Sequence, residues 1–179
     1  TATAKRSRSE PDWSAGDSMT KVYISDTNIW IDFRNADLLA ELFQLPLTLC
    51  STDYVMNELN DLPRDSLVEQ GLQVETLNEG AIAQLFTLMG AHRNSSLADV
   101  SCYYLAQQTG HPLLTGDGKL RRQASKDGIQ VFGVLWLLDQ LVTHTIIAPT
   151  RAAEALRAML EHGARLPQTE CHQRLQQWQ

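Results

Sequence analysis

This chain has no apolar run approaching the roughly 20 residues that a membrane-crossing helix needs. Its first residues show no apolar core of a secretory signal, so a cytoplasmic protein without a membrane partner is expected. Cysteine is scarce: Cys50, Cys102 and Cys171 are odd in number and lack metal-ligand spacing, which excludes a disulfide framework and favours reduced thiols. The five histidines (His92, His111, His144, His162 and His172) form neither HxxxH nor HExxH, so zinc hydrolysis is excluded. No G-x-S-x-G surrounds Ser25, Ser51 or Ser101, and neither a P-loop nor G-x-G-x-x-G occurs. These absences remove serine hydrolysis, nucleotide hydrolysis and dinucleotide binding from consideration. A phosphoaspartate enzyme would want a second Asp two residues after Asp26, where Asn28 stands. Positive charge is also short, 15 Lys and Arg against 21 Asp and Glu, for a net charge of −6. That balance argues against a non-specific nucleic-acid binder. It leaves room for an enzyme whose acidic site is neutralised by a cation.

What is present is an alternation of short apolar segments and helical periodicities. Residues 1–18 are polar and aperiodic, with Lys5, Arg6 and Arg8 against Glu10, Asp12 and Asp17. They read as a disordered tail, linker or tag, with the domain starting at Met19. A sharper alternative is an inhibitory or partner-mimicking arm anchored by Trp13. Strands are expected at 21–25, 47–50, 72–77, 112–115 and 130–134. Helices are expected at 28–43 with a break near Asn35, at 52–62 with a stop at Pro63, and at 79–91, 96–109, 119–126 and 135–141. A helical extension of the same domain follows the 19–149 unit, with helices at 150–162 and 169–178. Strands alternating with helices predict an α/β fold, a mainly parallel sheet with helices on both faces, with its active site at the carboxyl ends of the strands. The apolar helix 135–141 is a candidate dimer interface.

Four acids each end or border an apolar segment. Asp26 follows Val22-Tyr-Ile-Ser; it serves as a helix N-cap or as a ligand with Thr27 and Asn28 orienting it, and the two roles are compatible. Glu58 borders the stripe of Val55, Leu59 and Leu62, as an ordinary boundary residue or as a site carboxylate. Asp99 completes a capping box with Ser96, yet its helix is apolar nearly all round, so a carboxylate in the first turn faces the interior or a cleft. Asp117 lies in Thr115-Gly-Asp-Gly-Lys, a turn or a site where a ligand approaches the backbone. Directly after it come Lys119, Arg121, Arg122 and Lys126, either a solvated helix face or a set of phosphate contacts. Asp26 and Asp117 each follow a strand, which puts them on one sheet edge. Carboxylates gathered there would need a cation, and hard oxygen donors suit Mg²⁺ or Mn²⁺.

The ordered set Ser25-Asp-Thr-Asn, Asn57-Glu-Leu, Ser96-Leu-Ala-Asp-Val-Ser and Leu114-Thr-Gly-Asp-Gly-Lys-Leu resembles the successive motifs of the PIN-domain nucleases. Gly128-Ile-Gln-Val-Phe-Gly-Val-Leu-Trp is similar to the last strand and helix of that family, so the resemblance spans roughly residues 21–142. It implies a three-layer α/β/α sandwich and a Mg²⁺ or Mn²⁺ site built from the catalytic acids Asp26, Glu58, Asp99 and Asp117, with Thr115 and Asn28 supporting. Asp26, Asp99 and Asp117 are the direct ligands in this reading, and Glu58 acts partly through water. It implies a metal-dependent endoribonuclease similar to VapC-type toxins, paired with a small antitoxin protein and often a homodimer, with RNA gripped by the Lys119–Lys126 face. Residues 150–179 look like the extra terminal helices of one PIN subgroup. Some relatives carry a further acid directly before the last Asp; Gly116 stands there, which leaves one metal or two open. Two other readings remain beside this one: a PIN-like regulatory or binding module with little catalysis, and a structure-specific DNA nuclease.

Overall fold

Five short strands form one sheet: β1 (Lys21–Ser25), β2 (Leu47–Thr52), β3 (Gln73–Glu75), β4 (Leu113–Leu114) and β5 (Val131–Phe132), in the order β3-β2-β1-β4-β5. All four pairings are parallel, with Tyr23 opposite Leu49 on one side of β1 and Ile24 opposite Leu113 on the other. This is a computed structural model, and it describes residues 21–91 and 95–179. The expected tail 1–18, its Trp13, and His92 lie outside the described residues.

The helices are α1 (Thr27–Asn35), α2 (Leu39–Leu42), α3 (Asp53–Glu58), α4 (Arg64–Gln70), α5 (Glu79–Ala91), α6 (Leu97–Thr109), α7 (Gly118–Lys126), α8 (Val134–Thr143), α9 (Pro149–Glu161) and α10 (Gln168–Gln177). They cover both faces of the sheet in an α/β/α sandwich. The central strands are therefore buried on both sides, which is why Tyr23, Ile24, Leu113 and Leu114 are apolar without alternation. Helix α6 crosses β1, β2 and β4 and also touches α3, α5 and α7. Among the described residues, no helix is long and apolar enough to cross a membrane.

The break expected near Asn35 is present, and two other local expectations change. The 28–43 stretch is two helices, because Ala36 caps the first and Asp37 takes a left-handed φ of 55°. The 52–62 helix stops at Glu58: Leu59 leaves helical space at ψ 61°, so Glu58 is a terminal residue. Pro63 does not merely stop a helix but precedes a new one, α4, its ring fixing φ at −76° for the entry. The candidate dimer interface at 135–141 lies on α8. Leu135, Leu137, Leu138 and Leu141 are buried in the core, where α8 packs on α2 and α9, so its apolar face is already covered.

The last helices belong to the same core. Cys171 and Trp178 of the α10 segment are buried with α9's Leu156 and Met159. Arg174 clamps Asp139 of α8 with two donors, Nε at 3.0 Å and Nη2 at 2.7 Å. All three cysteines are buried and unpaired.

The connection order positions the site. From β1 the chain moves outward through β2 to β3, then crosses back to lay β4 and β5 on the other side of β1. The switch point is therefore the gap between the carboxyl ends of β1 and β4, where α/β sheets open a crevice.

Candidate active site

Asp26 is the first residue past β1 and is fully buried, 0% exposed. Its backbone N–H donates to Leu114 O at 3.0 Å, so the sheet's own ladder sets its position. Its Oδ1 accepts from Ile29 N at 3.1 Å, capping α1, and its Oδ2 accepts from Thr115 Oγ1 at 2.6 Å. Capping and site placement thus coincide in one side chain. Burial pushes its pKa up to about 6, against the opposing pull of the hydrogen bonds from Thr115, Ile29 and Gly116.

Thr115, also buried, follows β4. While its hydroxyl donates to Asp26, its oxygen accepts from Asp117 N at 3.1 Å, so one residue ties the two strand-end acids together. Asp117 caps α7 through Oδ1, which accepts from Lys119 N at 2.9 Å and Leu120 N at 3.2 Å. Its Oδ2 accepts from Ser95 Oγ at 3.0 Å.

Asp99 lies in the first turn of α6, and Ser96 Oγ caps the helix by accepting its N–H at 3.1 Å. The side chain is only 7% exposed, and its Oδ1 is buried without any hydrogen-bond partner. Its pKa rises to about 7, first through burial and then through the negative charge of Asp26; a Ser96 side-chain hydrogen bond opposes the rise, and Glu58 and Asp117 add smaller repulsions. These couplings put Asp99 within electrostatic reach of the other three acids. Glu58 ends α3 at the exposed mouth, where its Oε2 accepts from Thr27 Oγ1 at 2.6 Å.

Two of the supporting residues behave differently from expectation. The Thr27 hydroxyl serves Glu58, not Asp26, and Asn28 is exposed with no side-chain hydrogen bond among the described residues. Lys119, Arg121, Arg122 and Lys126 are all exposed on α7, the helix that Asp117 caps.

Sequence reading missed four participants. Ser95 holds Asp117 from the loop before α6, and nothing in its local pattern separates it from the neighbouring cap Ser96. Thr52 and Ser101 meet at 2.7 Å beneath the site, joining the end of β2 to α6. Asp32 on α1 is half-buried, its pKa pushed up to about 6 by desolvation, and it adds to the repulsion on Asp26. Its signal was visible only as an acid inside the apolar stretch of Ile29 and Phe33.

Among the described residues, no three His, Cys, Asp or Glu side chains are gathered tightly enough to form a ready-made cation cage. Asp26 and Asp117 are turned to their hydrogen bonds with Ile29, Thr115, Ser95 and the first turn of α7. The donor set nevertheless fits a divalent cation: hard carboxylate oxygens, strong mutual repulsion, and in Asp99 Oδ1 a buried acceptor with no protein donor.

Residues 22–179 match the profile of a family described as DUF3368: PIN domain. No curated protein matches the chain. Among solved structures, a PilT N-terminus domain protein from the hyperthermophilic archaeon Sulfolobus solfataricus P2 is similar at 11% identity and a TM-score of 0.45, covering 68% of this chain and 92% of that one.

Proposed function

This chain belongs to the PIN-domain family, and on that premise we propose that it is a metal-dependent endoribonuclease, the toxin of a bacterial toxin–antitoxin pair similar to VapC. The observation that carries the catalytic reading is Asp99: a buried carboxylate with an orphaned Oδ1, repelled by Asp26, Glu58 and Asp117. An uncompensated group of this kind costs stability unless a cation meets it. The toxin role and the antitoxin partner rest on the motif resemblance alone.

In this reading Asp26, Asp99 and Asp117 hold Mg²⁺ or Mn²⁺, which when bound supplies Lewis-acid charge at the scissile phosphate. The chain's own residues set the stage. Thr115 fixes Asp26 and, through its accepted N–H, the turn that carries Asp117. Ser95 locks the second oxygen of Asp117. Glu58, steadied by Thr27 at the solvent side, adds negative charge where substrate and water enter. The basic face of α7 receives the RNA backbone directly beside the acids.

The deciding experiment assays defined RNA and DNA pools with Mn²⁺, with Mg²⁺ and with excess EDTA, using the wild type and Asp99→Asn. Metal-dependent cleavage of RNA that vanishes in the variant is expected. Full cleavage in EDTA, or by a folded Asp99→Asn protein, would sink the mechanism, and cleavage confined to DNA would reassign the substrate.

One observation favours a second reading, a binding or regulatory module: the absence of a closed cage among the described residues. The two readings part on a metal titration. A working site is stabilised by Mn²⁺ at modest concentration, whereas a module without one shows no shift in melting temperature.

A further inference from the structure

The four basic residues of α7 differ in how they are held, and the difference points to one of them. A Cβ placed on Gly133 would come within 3.1 Å of Arg121 Nη2 and 3.6 Å of Thr115 O. The guanidinium therefore rests on the Cα of Gly133, at the carboxyl ends of β4 and β5, beside the residue that ties Asp26 to Asp117. Gly133 itself is extended, with φ −133° and ψ −169°, a conformation open to any residue. Its torsion angles do not require glycine; what the missing side chain provides is room. The charge seated there is uncommitted. Among the described residues the ion pairs use Arg34, Arg151 and Arg174, and the Arg121 guanidinium makes none.

We infer that Gly133 is a seat for Arg121, and that Arg121 so held takes a phosphate of the RNA backbone next to the one being cut. The inference rests on the nuclease reading above. A planar fork of donors that lies against Gly133 and is unpaired among the described residues suits two-pronged contact with phosphate oxygens. Lys119 and Lys126 are exposed without such a support. Arg122 folds back over Gly118, but a Cβ there would meet its Nη1 only at 3.6 Å, an ordinary contact. Gly118 thus makes an internal control for Gly133.

The test measures binding of a fluorescein-labelled single-stranded oligouridylate to the full chain in excess EDTA, across a range of salt. Arg121→Ala is expected to weaken binding about tenfold, in line with loss of one charge-assisted contact. The slope of log K against log salt should flatten by about 0.7, the value for one phosphate on a single strand. Gly133→Ala should move both quantities the same way, Gly118→Ala neither, and Arg121→Lys should recover part of the loss. The double variant R121A/G133A should bind no worse than R121A, because the glycine acts through the arginine. In cleavage with Mn²⁺, R121A should raise KM and leave kcat near the wild-type value. Additive losses in the double variant, or a G118A as damaging as G133A, would overturn the seat. An R121A with unchanged affinity and salt slope, in a protein that binds and cuts RNA, would overturn the phosphate contact. A wild type that neither binds nor cuts RNA would instead bring down the nuclease reading, and this inference with it.

Discussion

Thr115 donates its hydroxyl hydrogen to Asp26 Oδ2 across 2.6 Å, joining two buried residues 89 positions apart in the chain. The bond links the carboxyl ends of β1 and β4 at the point where the sheet reverses its order of growth. Replacing Thr115 with Val keeps the shape but strands a buried carboxylate oxygen and frees Asp117 N. A loss of about 1–3 kcal/mol in urea unfolding is expected, with cleavage falling at least as far as the fold permits. Thr115→Ser should restore both. A Val variant as stable and active as the wild type would show that the bond positions nothing.

The raised acids make the metal-free protein sensitive to pH. Asp26 at about 6 and Asp99 at about 7 bind their protons more tightly folded than unfolded, where both lie near the ordinary value of 3.8. Their contribution to stability is therefore fully present below about pH 4 and is lost as pH rises through 6 and 7. Asp32, raised to about 6 by burial, acts in the same direction. Melting temperatures in EDTA should fall between about pH 4.5 and pH 8, and Asp99→Asn should flatten that fall. A profile that rises steadily with pH would contradict the shared site.

Asp99→Asn removes the like charge at the centre of the acids without changing the side chain's size. In EDTA at neutral pH the variant should melt above the wild type. With Mn²⁺ added, the wild type should gain stability and the variant should gain much less. Equal gains would place the cation elsewhere.

Gly116 stands directly before Asp117. A Cβ added there meets nothing within 4 Å, and the residue is exposed, so Gly116→Asp has space for its side chain. The added charge should lower the metal-free melting temperature at neutral pH and enlarge the shift produced by Mn²⁺. Isothermal titration with Mn²⁺ reads the change directly; unaltered affinity would mean that a carboxylate at this position does not reach the cation.

Trp178, next to the last residue, is 3% exposed against the core. Trp178→Ala should cost about 3–5 kcal/mol, as for other buried large-to-small changes. Arg174→Ala, which breaks the half-exposed clamp on Asp139, should cost about 1 kcal/mol or less. If Trp178→Ala unfolds at the wild-type urea concentration, the terminal helix is an appendage and not part of the core.

Much of this architecture was legible in the chain. Strand β1 and helix α5 stand at the bounds their apolar patterns predict, since hydrophobic periodicity is written in neighbouring residues. Asp26 and Asp99 read as capping residues and Asp117 as a turn acid; the structure finds Asp26 and Asp117 at N-cap positions and Asp99 in the first turn of its helix. What local pattern cannot hold is the partner of a side chain. Thr27 was expected to serve its neighbour Asp26 and serves Glu58, because the turn after β1 aims its hydroxyl at the end of α3. Pro63 read as a terminator, and α4 exists because Leu67 finds a buried place against the core.

The sequence by itself determined the α/β alternation, the parallel sheet, the family, and which acids stand at helix starts, because hydrophobic periodicity and capping act over a few residues. Only the tertiary structure decided that Asp99 is left with an orphaned oxygen among like charges, that Ser95 and Thr115 hold the strand-end acids, and that Arg121 rests on Gly133. Those relations depend on the strand order and on how α6 and α7 cross the sheet edge. Desolvation and repulsion arise between residues that the chain keeps far apart and the fold brings together.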